Sequence, residues 1–227
     1  MLIKVINFRR KTPRLPCDLR RLLRYLLTPK LVADTGSRLL GPPQLDHLVA
    51  TDKPWGDHAD EVIADLAEQF DFYVRESGVC QKICARPRAC GGLQACIGRE
   101  RPRNWYVHLI VSFAATDTAA LRNPPDPHHT PQKWQSVAAS TIRIARDAFD
   151  FLGWDGVQPA IFVAHGDRDH LHVHAVIATA VFPDAYWNAF NFPRQRLDEI
   201  AAICADAFSL PTKSLKLQGY HRVFEGL

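Results

Sequence analysis

Residues 163–178 read VAHGDRDHLHVHAVIA and hold four histidines and two aspartates between two apolar runs. The runs AIFVAH (160–165) and LHVHAVIATA (171–180) are short, apolar and rich in strand-forming residues. The segment GDRDH between them consists of turn-forming residues and has the length of a hairpin connection. The sequence therefore predicts two antiparallel strands joined by a tight connection, and the rest of the fold is built around this hairpin.

The histidines of the hairpin form a candidate metal site. Side chains alternate across a strand, so His172 and His174 share one face, and His165 reaches the same face if the hairpin closes. Three imidazoles and a nearby carboxylate, from Asp167, are typical ligands of a divalent metal. The alternative, a set of exposed hairpin histidines, is disfavoured because the strand is otherwise apolar. His170 lies in the turn and is expected beside the site rather than on the metal.

Apolar periodicity predicts further strands and amphipathic helices, which with the hairpin give the order β-α-α-β-α-β-β-α. Strands are expected at 2–7 and 107–113, in addition to the hairpin, and helices at 17–27, 57–74, 131–153 and 193–208. Residues 29–56 and 114–130 are expected as long connections. This order predicts a single α+β domain over 1–227, with a central antiparallel sheet of about five strands flanked by helices.

The composition is that of an ordinary globular protein, with 47% hydrophobic and 23% charged residues in 227. No apolar stretch approaches the roughly 20 residues of a membrane span, and the N-terminus has apolar residues before basic ones, the reverse of a signal peptide. A cytoplasmic location is expected. Structural disulfides are therefore not expected among the six cysteines.

Basic residues cluster although the net charge is only +4. Residues 9–30 contain eight Lys and Arg against one acid, and residues 82–103 form a second basic stretch. Such clusters favour a polyanionic partner over a small metabolite. The alternative is a solvated face with no partner. The residues of the first predicted helix that we expect to contact phosphates are Arg20, Arg21 and Arg24.

HGDRDHLHVH resembles the third motif of conjugative relaxases, the mobilisation nucleases of the HUH endonuclease superfamily. It is most similar to the P-type branch of plasmid and T-DNA border relaxases. The residues that fill this motif are His165, Asp167, His172 and His174. VHLIVSF (107–113) is similar to the second motif, with Ser112 at its serine, and LLRYLL (22–27) to the first, with Tyr25 at its catalytic tyrosine. The motifs stand in family order, and the resemblance extends from residue 1 to about 212.

The resemblance implies an HUH relaxase-like fold and a metal-dependent enzyme that nicks and rejoins single-stranded DNA at a transfer origin. The implied intermediate is a 5′-phosphotyrosyl bond to Tyr25, with Asp167 and Ser112 assisting. The implied metal, bound by the three histidines, is Mg²⁺ or Mn²⁺. Implied partners are relaxosome accessory proteins. A separate helicase or coupling protein is expected, because the chain contains no recognisable helicase segment.

The position of Tyr25 also suits a nucleophile on physical grounds. On a helical wheel it flanks the leucine stripe, one turn after Arg21, so it can reach a phosphate while its helix stays docked. Because its free pKa is near 10, it needs a base, for which Asp167 or His165 is available. The alternative is a boundary tyrosine used for packing, in which case Tyr73 or Tyr106 becomes the candidate nucleophile.

Two features depart from the family pattern. Ala178 stands where the family usually has an asparagine, and a Cys- and Arg-rich segment at about 78–104 looks like an insertion. Its cysteines are Cys80, Cys84, Cys90 and Cys96. They lack a C-x-x-C pair, so a structural zinc, an iron–sulfur cluster and free thiols all stay open. Cys17 and Cys204 are interpreted as packing residues.

Two other functions stay open. A replication initiator or transposase of the same superfamily would use the same chemistry, but those proteins usually place the tyrosine after the histidine motif. A DNA-binding accessory protein would keep the fold without cleaving. The complete tyrosine and histidine motifs disfavour this second alternative.

Overall fold

A computed structural model of the chain describes residues 1–6, 16–27, 31–32, 36–37, 43–48, 59–77, 82–83, 92–95, 100–101, 106–122, 131–166, 170–181, 185–188 and 192–211. The helices are α1 (Pro16–Leu27), α2 (Ala59–Glu76), α3 (Ala115–Arg122), α4 (Pro131–Asp150) and α5 (Arg194–Ala207). The strands are β1 (Leu2–Val5), β2 (Leu31–Val32), β3 (Gly36–Ser37), β4 (Gln44–Asp46), β5 (Lys82–Ile83), β6 (Gly92–Ala95), β7 (Glu100–Arg101), β8 (Tyr106–Ser112), β9 (Ala160–His165), β10 (His172–Ala178), β11 (Ala180–Val181) and β12 (Ala185–Asn188).

A five-stranded sheet forms the centre of the fold, in the order β1-β8-β10-β9-β4. All its neighbouring strands are antiparallel. The predicted α+β class, with a central antiparallel sheet of about five strands flanked by helices, is confirmed. The predicted hairpin is also confirmed, because β9 pairs with β10 with His172 opposite His165.

Helices cover both faces of this sheet. On one face, α1 and α2 pack their apolar stripes together against β9 and β10, and Leu23, Leu26 and Leu66 are fully buried there. On the other face, α4 and α5 cover the side chains that alternate with these, including Val173 and Ala175. We call the first side the histidine face, because the period of two puts His172 and His174 on it.

The predicted connection at 114–130 is wrong at its start, where the structure has α3. This helix has only eight residues, ATDTAALR, and is too short and too weakly amphipathic for its apolar period to stand out. Asp117 of this helix is buried and accepts a hydrogen bond from the backbone N–H of Ala114 (3.4 Å). The side chain therefore stabilises the first turn of α3.

The predicted connection at 29–56 contains an edge strand of the central sheet. In β4, Gln44 lies opposite Phe162 of β9, and only the central leucine of its QLD sequence is apolar. Three residues with one apolar side chain give too little alternation to indicate a strand.

No helix in the described part of the chain is long and apolar enough to cross a membrane.

Candidate active site

Three buried histidines meet on the histidine face. His165 and His172 are cross-strand partners, and His174 follows two residues later on the same side of β10. Their ring centroids are 4.7–5.2 Å apart. One nitrogen from each ring can be chosen so that all three lie within 4.8 Å of one another. The predicted histidine ligands are therefore brought together in the structure.

Each of these rings is oriented by a hydrogen bond through one nitrogen. Nε2 of His165 donates to the backbone carbonyl of Leu26 in α1 (3.0 Å). Nδ1 of His172 donates to the carbonyl of His170 (3.4 Å). Nδ1 of His174 lies 2.8 Å from Nε2 of His108. A neutral imidazole carries one N–H and one lone pair, so a ring that donates through one nitrogen can present the lone pair of the other nitrogen to a metal.

The residues of this cluster fit a divalent metal. Nε2 of His174 is a buried atom that makes no hydrogen bond within the described part of the chain, which suits an atom that serves as a ligand. The three histidines would supply three nitrogen donors to a divalent metal, and its remaining coordination positions would be left for water or substrate oxygens. The cluster could therefore hold a catalytic metal rather than a purely structural one.

The histidine that the sequence interpretation missed is His108, in β8. Its ring stacks on that of His174, with centroids 5.1 Å apart and planes 28° from parallel. A signal existed, because His108 and Ser112 are four residues apart on one strand and therefore share a face. Which strand lies beside β8 is a matter of tertiary topology, and so the pair could not be predicted.

Tyr25 lies on the helix that contacts the histidine cluster. Its side chain is 47% exposed, as expected for a residue beside the leucine stripe. The next residue is Leu26, whose carbonyl accepts the hydrogen bond from His165. Among the candidate phosphate contacts, Arg20 and Arg21 are exposed, whereas the Arg24 side chain forms an exposed ion pair with Asp60 of α2 (3.0 Å).

Ser112 stands in the same row of the sheet as two of the histidines. It lies opposite His172 on one side and Leu2 on the other, and it is half-buried.

The helix α3, which follows β8, is hydrogen-bonded to both sides of the connection between β9 and β10. Its Thr118 hydroxyl accepts a hydrogen bond from the Leu171 N–H (2.9 Å), and Arg122 donates to the carbonyl of Gly166 (3.4 Å).

Some of the predicted site residues lie outside the described residues. These are Asp167 and the four cysteines of the 78–104 segment, Cys80, Cys84, Cys90 and Cys96. Ala178, where the family pattern has an asparagine, is fully buried at the end of β10 opposite Tyr106. An asparagine side chain at this position would be enclosed in the core of the histidine face.

In a comparison with known protein families, residues 93–208 of the chain match one family. This segment matches the family described as relaxase, MobA/VirD2-like, nuclease domain. It includes β8, β9 and β10 and thus His108, Ser112 and the three clustered histidines, but it begins after Tyr25. Neither the curated proteins nor the solved structures yielded a match. The matched segment is just over half of the chain and contains the whole buried histidine cluster. The chain therefore belongs to the MobA/VirD2-like relaxases, and the match is to their nuclease domain.

Proposed function

We propose that this relaxase nicks and rejoins one strand of DNA at a transfer origin during conjugative mobilisation, with Tyr25 as its nucleophile. One observation carries the proposal: the carbonyl of Leu26, the residue after Tyr25, is hydrogen-bonded to His165 of the histidine cluster. This contact ties the tyrosine helix to the candidate metal site on one face of the sheet. We therefore expect a phosphate bound at the histidines to lie within reach of the exposed phenol of Tyr25.

The proposed reaction is a transesterification. The phenolic oxygen of Tyr25 attacks the scissile phosphorus, and the bond from phosphorus to the 3′ oxygen breaks. The products are a 5′-phosphotyrosyl bond and a 3′ oxygen that takes up a proton to become a hydroxyl. One phosphodiester replaces another, so the same residues can run the reaction backwards and reseal the strand without ATP.

Asp167 is the base we propose for the phenolic proton. The other candidate, His165, has one nitrogen in its hydrogen bond to Leu26 and needs the second for a metal. A histidine with both nitrogens engaged has no site for another proton. Asp167 follows His165 by two residues in the sequence, so a position near the cluster is compatible with the length of chain between them.

The metal we propose is Mg²⁺ or Mn²⁺. When bound at the three histidines, it would supply positive charge to the non-bridging oxygens of the scissile phosphate. Nitrogen ligands favour Mn²⁺ and later transition metals in affinity, whereas Mg²⁺ prefers oxygen and would depend on its abundance. His165, His172 and His174 would hold the ion, with Ser112 contacting the DNA beside them and Arg20, Arg21 and Arg24 the neighbouring phosphates.

The wider setting of the proposal follows the family. We propose that residues 1–227 form a single relaxase domain in the cytoplasm, with the segment at 78–104 as an insertion. Four cysteines in that segment could hold a structural zinc. Relaxosome accessory proteins would act with the relaxase at the transfer origin, and a separate helicase or coupling protein would unwind the strand.

The test is Tyr25→Phe, which removes only the attacking oxygen. The measurement is covalent protein–DNA adduct on denaturing gels, with Mn²⁺ and single-stranded oligonucleotides that tile the DNA around the gene. We expect adduct with the wild type and with the control Tyr73→Phe, and none with Tyr25→Phe. Because the Tyr25 side chain is exposed, Tyr25→Phe should change the free energy of unfolding of the protein by less than about 0.5 kcal/mol.

Two results would contradict the proposal. If Tyr25→Phe still forms adduct, Tyr73 or Tyr106 is the nucleophile. If the wild type binds the oligonucleotides but forms no adduct with any of them, the chain is a non-cleaving DNA-binding protein on a relaxase fold.

A further inference from the structure

We propose that His108 is a positioning residue of the metal site, acting as a neutral hydrogen-bond acceptor that holds His174 in the tautomer able to bind a metal. The inference deepens the proposed function, since it rests on the histidine cluster being a metal site. It assigns a role to a side chain outside the three-histidine ligand set. That role is to orient a ligand and not to touch substrate.

The contact between the two rings is short and enclosed. Nε2 of His108 and Nδ1 of His174 are 2.8 Å apart, and the two side chains are 5% and 4% exposed. His108 lies opposite Val176 on β10, one side-chain position beyond His174 on the same face. Little water can compete at such a site, so the hydrogen bond is stronger than the same bond on the surface.

The direction of this hydrogen bond decides whether His174 can be a ligand. A contact of 2.8 Å between two ring nitrogens needs one proton between them, so one ring donates and the other accepts. If His108 donated, neutral His174 would carry its own proton on Nε2, and its ring would have no lone pair left for a metal. If His108 accepts, Nδ1 of His174 is protonated and Nε2 presents a lone pair.

The same assignment decides the charge of the group that orients His174. An accepting His108 is itself neutral, with its proton on Nδ1. Metal-bound histidines commonly donate their other N–H to a carboxylate or a backbone carbonyl. Here His174 donates to an uncharged ring and His165 to the carbonyl of Leu26. Neither partner adds negative charge, so a bound metal keeps more of its positive charge for a phosphate.

The experiment compares His108→Gln with His108→Met in the full chain. The two side chains are similar in length and volume, but only glutamine offers an oxygen that can accept from Nδ1 of His174. Calorimetric titration with Mn²⁺ alone measures affinity, and His174→Ala gives the loss expected from a missing ligand. We expect Met to weaken Mn²⁺ binding about 10- to 100-fold and Gln to stay within a few-fold of the wild type.

A second measurement does not depend on any variant folding. Nitrogen-15 chemical shifts of the histidine rings in the metal-free wild type should show His174 protonated on Nδ1 and His108 unprotonated on Nε2. The opposite tautomers would overturn the proposal. So would His108→Met binding Mn²⁺ as tightly as the wild type, or a folded His108→Gln binding it as weakly as His108→Met, which would mean that ring shape alone matters.

Neither measurement involves DNA or Tyr25, so the two proposals can fail separately. A wild type that binds Mn²⁺ and cleaves DNA while His108→Met loses no affinity contradicts only the role of His108. A wild type that binds Mn²⁺ through the His108–His174 pair but forms no DNA adduct contradicts only the cleavage proposal.

Discussion

Burial controls the chemistry of single residues in this fold, and Cys204 shows it outside the active site. The residue lies in α5 on the face opposite the histidines, is fully buried, and is a free cysteine. Burial raises the pKa of its thiol to about 11, and the negative charge of Asp147 adds to this effect. The interpretation of Cys204 as a packing residue is therefore confirmed, and its thiol is protonated at neutral pH.

We predict that Cys204 resists alkylation in the folded protein. The thiolate is the reactive form, and a pKa of about 11 in place of 9.0 lowers its fraction about 100-fold at pH 8. Peptide mapping after iodoacetamide treatment, with and without urea, measures this protection. A raised thiol pKa also favours the unfolded state as the pH rises from 9 to 11, so stability should fall in that range, and less in Cys204→Ala. Rapid labelling of folded protein would contradict the assignment.

Among the elements, α4 and the edge strand β4 are joined by an ion pair. Arg146 contacts Asp46 (3.2 Å), and its guanidinium lies 5.8 Å from the ring centroid of Phe162. Burial raises the pKa of the Asp46 carboxyl, while the positive charges of Arg146 and His47 act in the opposite direction. The arginine therefore offsets part of the cost of a partly buried carboxylate and helps to fix the edge of the sheet.

We predict that Arg146→Met destabilises the protein by about 1–3 kcal/mol at pH 7, because Asp46 loses its partner. Without that charge the pKa of Asp46 rises further. The unfavourable ionised state is then avoided by protonation, so the loss should shrink as the pH falls toward 3.8. Urea denaturation at pH 7 and pH 4 measures this, with Arg143→Met on the same helix as control. Two results would point to packing of Arg146 on the aromatic rings instead. One is a loss of stability that does not vary with pH, and the other is an equal loss when Arg146→Met is introduced into Asp46→Asn.

The distribution of charge over the whole molecule bears on DNA affinity. Arg20 and Arg21 are exposed on α1, the helix that carries Tyr25. Arg24, on the same helix, reaches Asp60 of α2, and such exposed ion pairs contribute little to stability. All three side chains can therefore turn toward a polyanion bound beside the histidine face at small cost to the fold.

We predict that replacing Arg20, Arg21 and Arg24 by Gln flattens the dependence of single-strand affinity on salt. Each phosphate contact adds about 0.7 to the slope of log affinity against log salt, so three contacts change it by about two. Oligonucleotide binding across a salt series measures the slope. The control is Arg194→Gln/Arg196→Gln on α5, which packs on the opposite face and should leave the slope unchanged. If the triple variant also leaves it unchanged, α1 faces away from DNA and Tyr25 is a poor candidate nucleophile.

The local pattern of side chains was enough to predict much of this molecule. The period of two predicts that His172 and His174 share a face, and the short connection predicts that His165 joins them. The stripe of leucines in α1 predicts that Tyr25 stays exposed beside a buried face. These features depend on residues within one strand, one hairpin or one helix, where sequence separation and spatial distance are closely related.

Only the tertiary structure decides what completes the site. His108 is 66 residues from His174, and the Leu26 carbonyl is 139 residues from His165. Both contacts exist because β8 lies beside β10 and α1 packs on their common face, which no local period encodes. The backbone carbonyl of Leu26 leaves no signal in the sequence at all, since every residue has one. The sequence therefore determines the three clustered histidines, and the packing of distant elements decides their orientation.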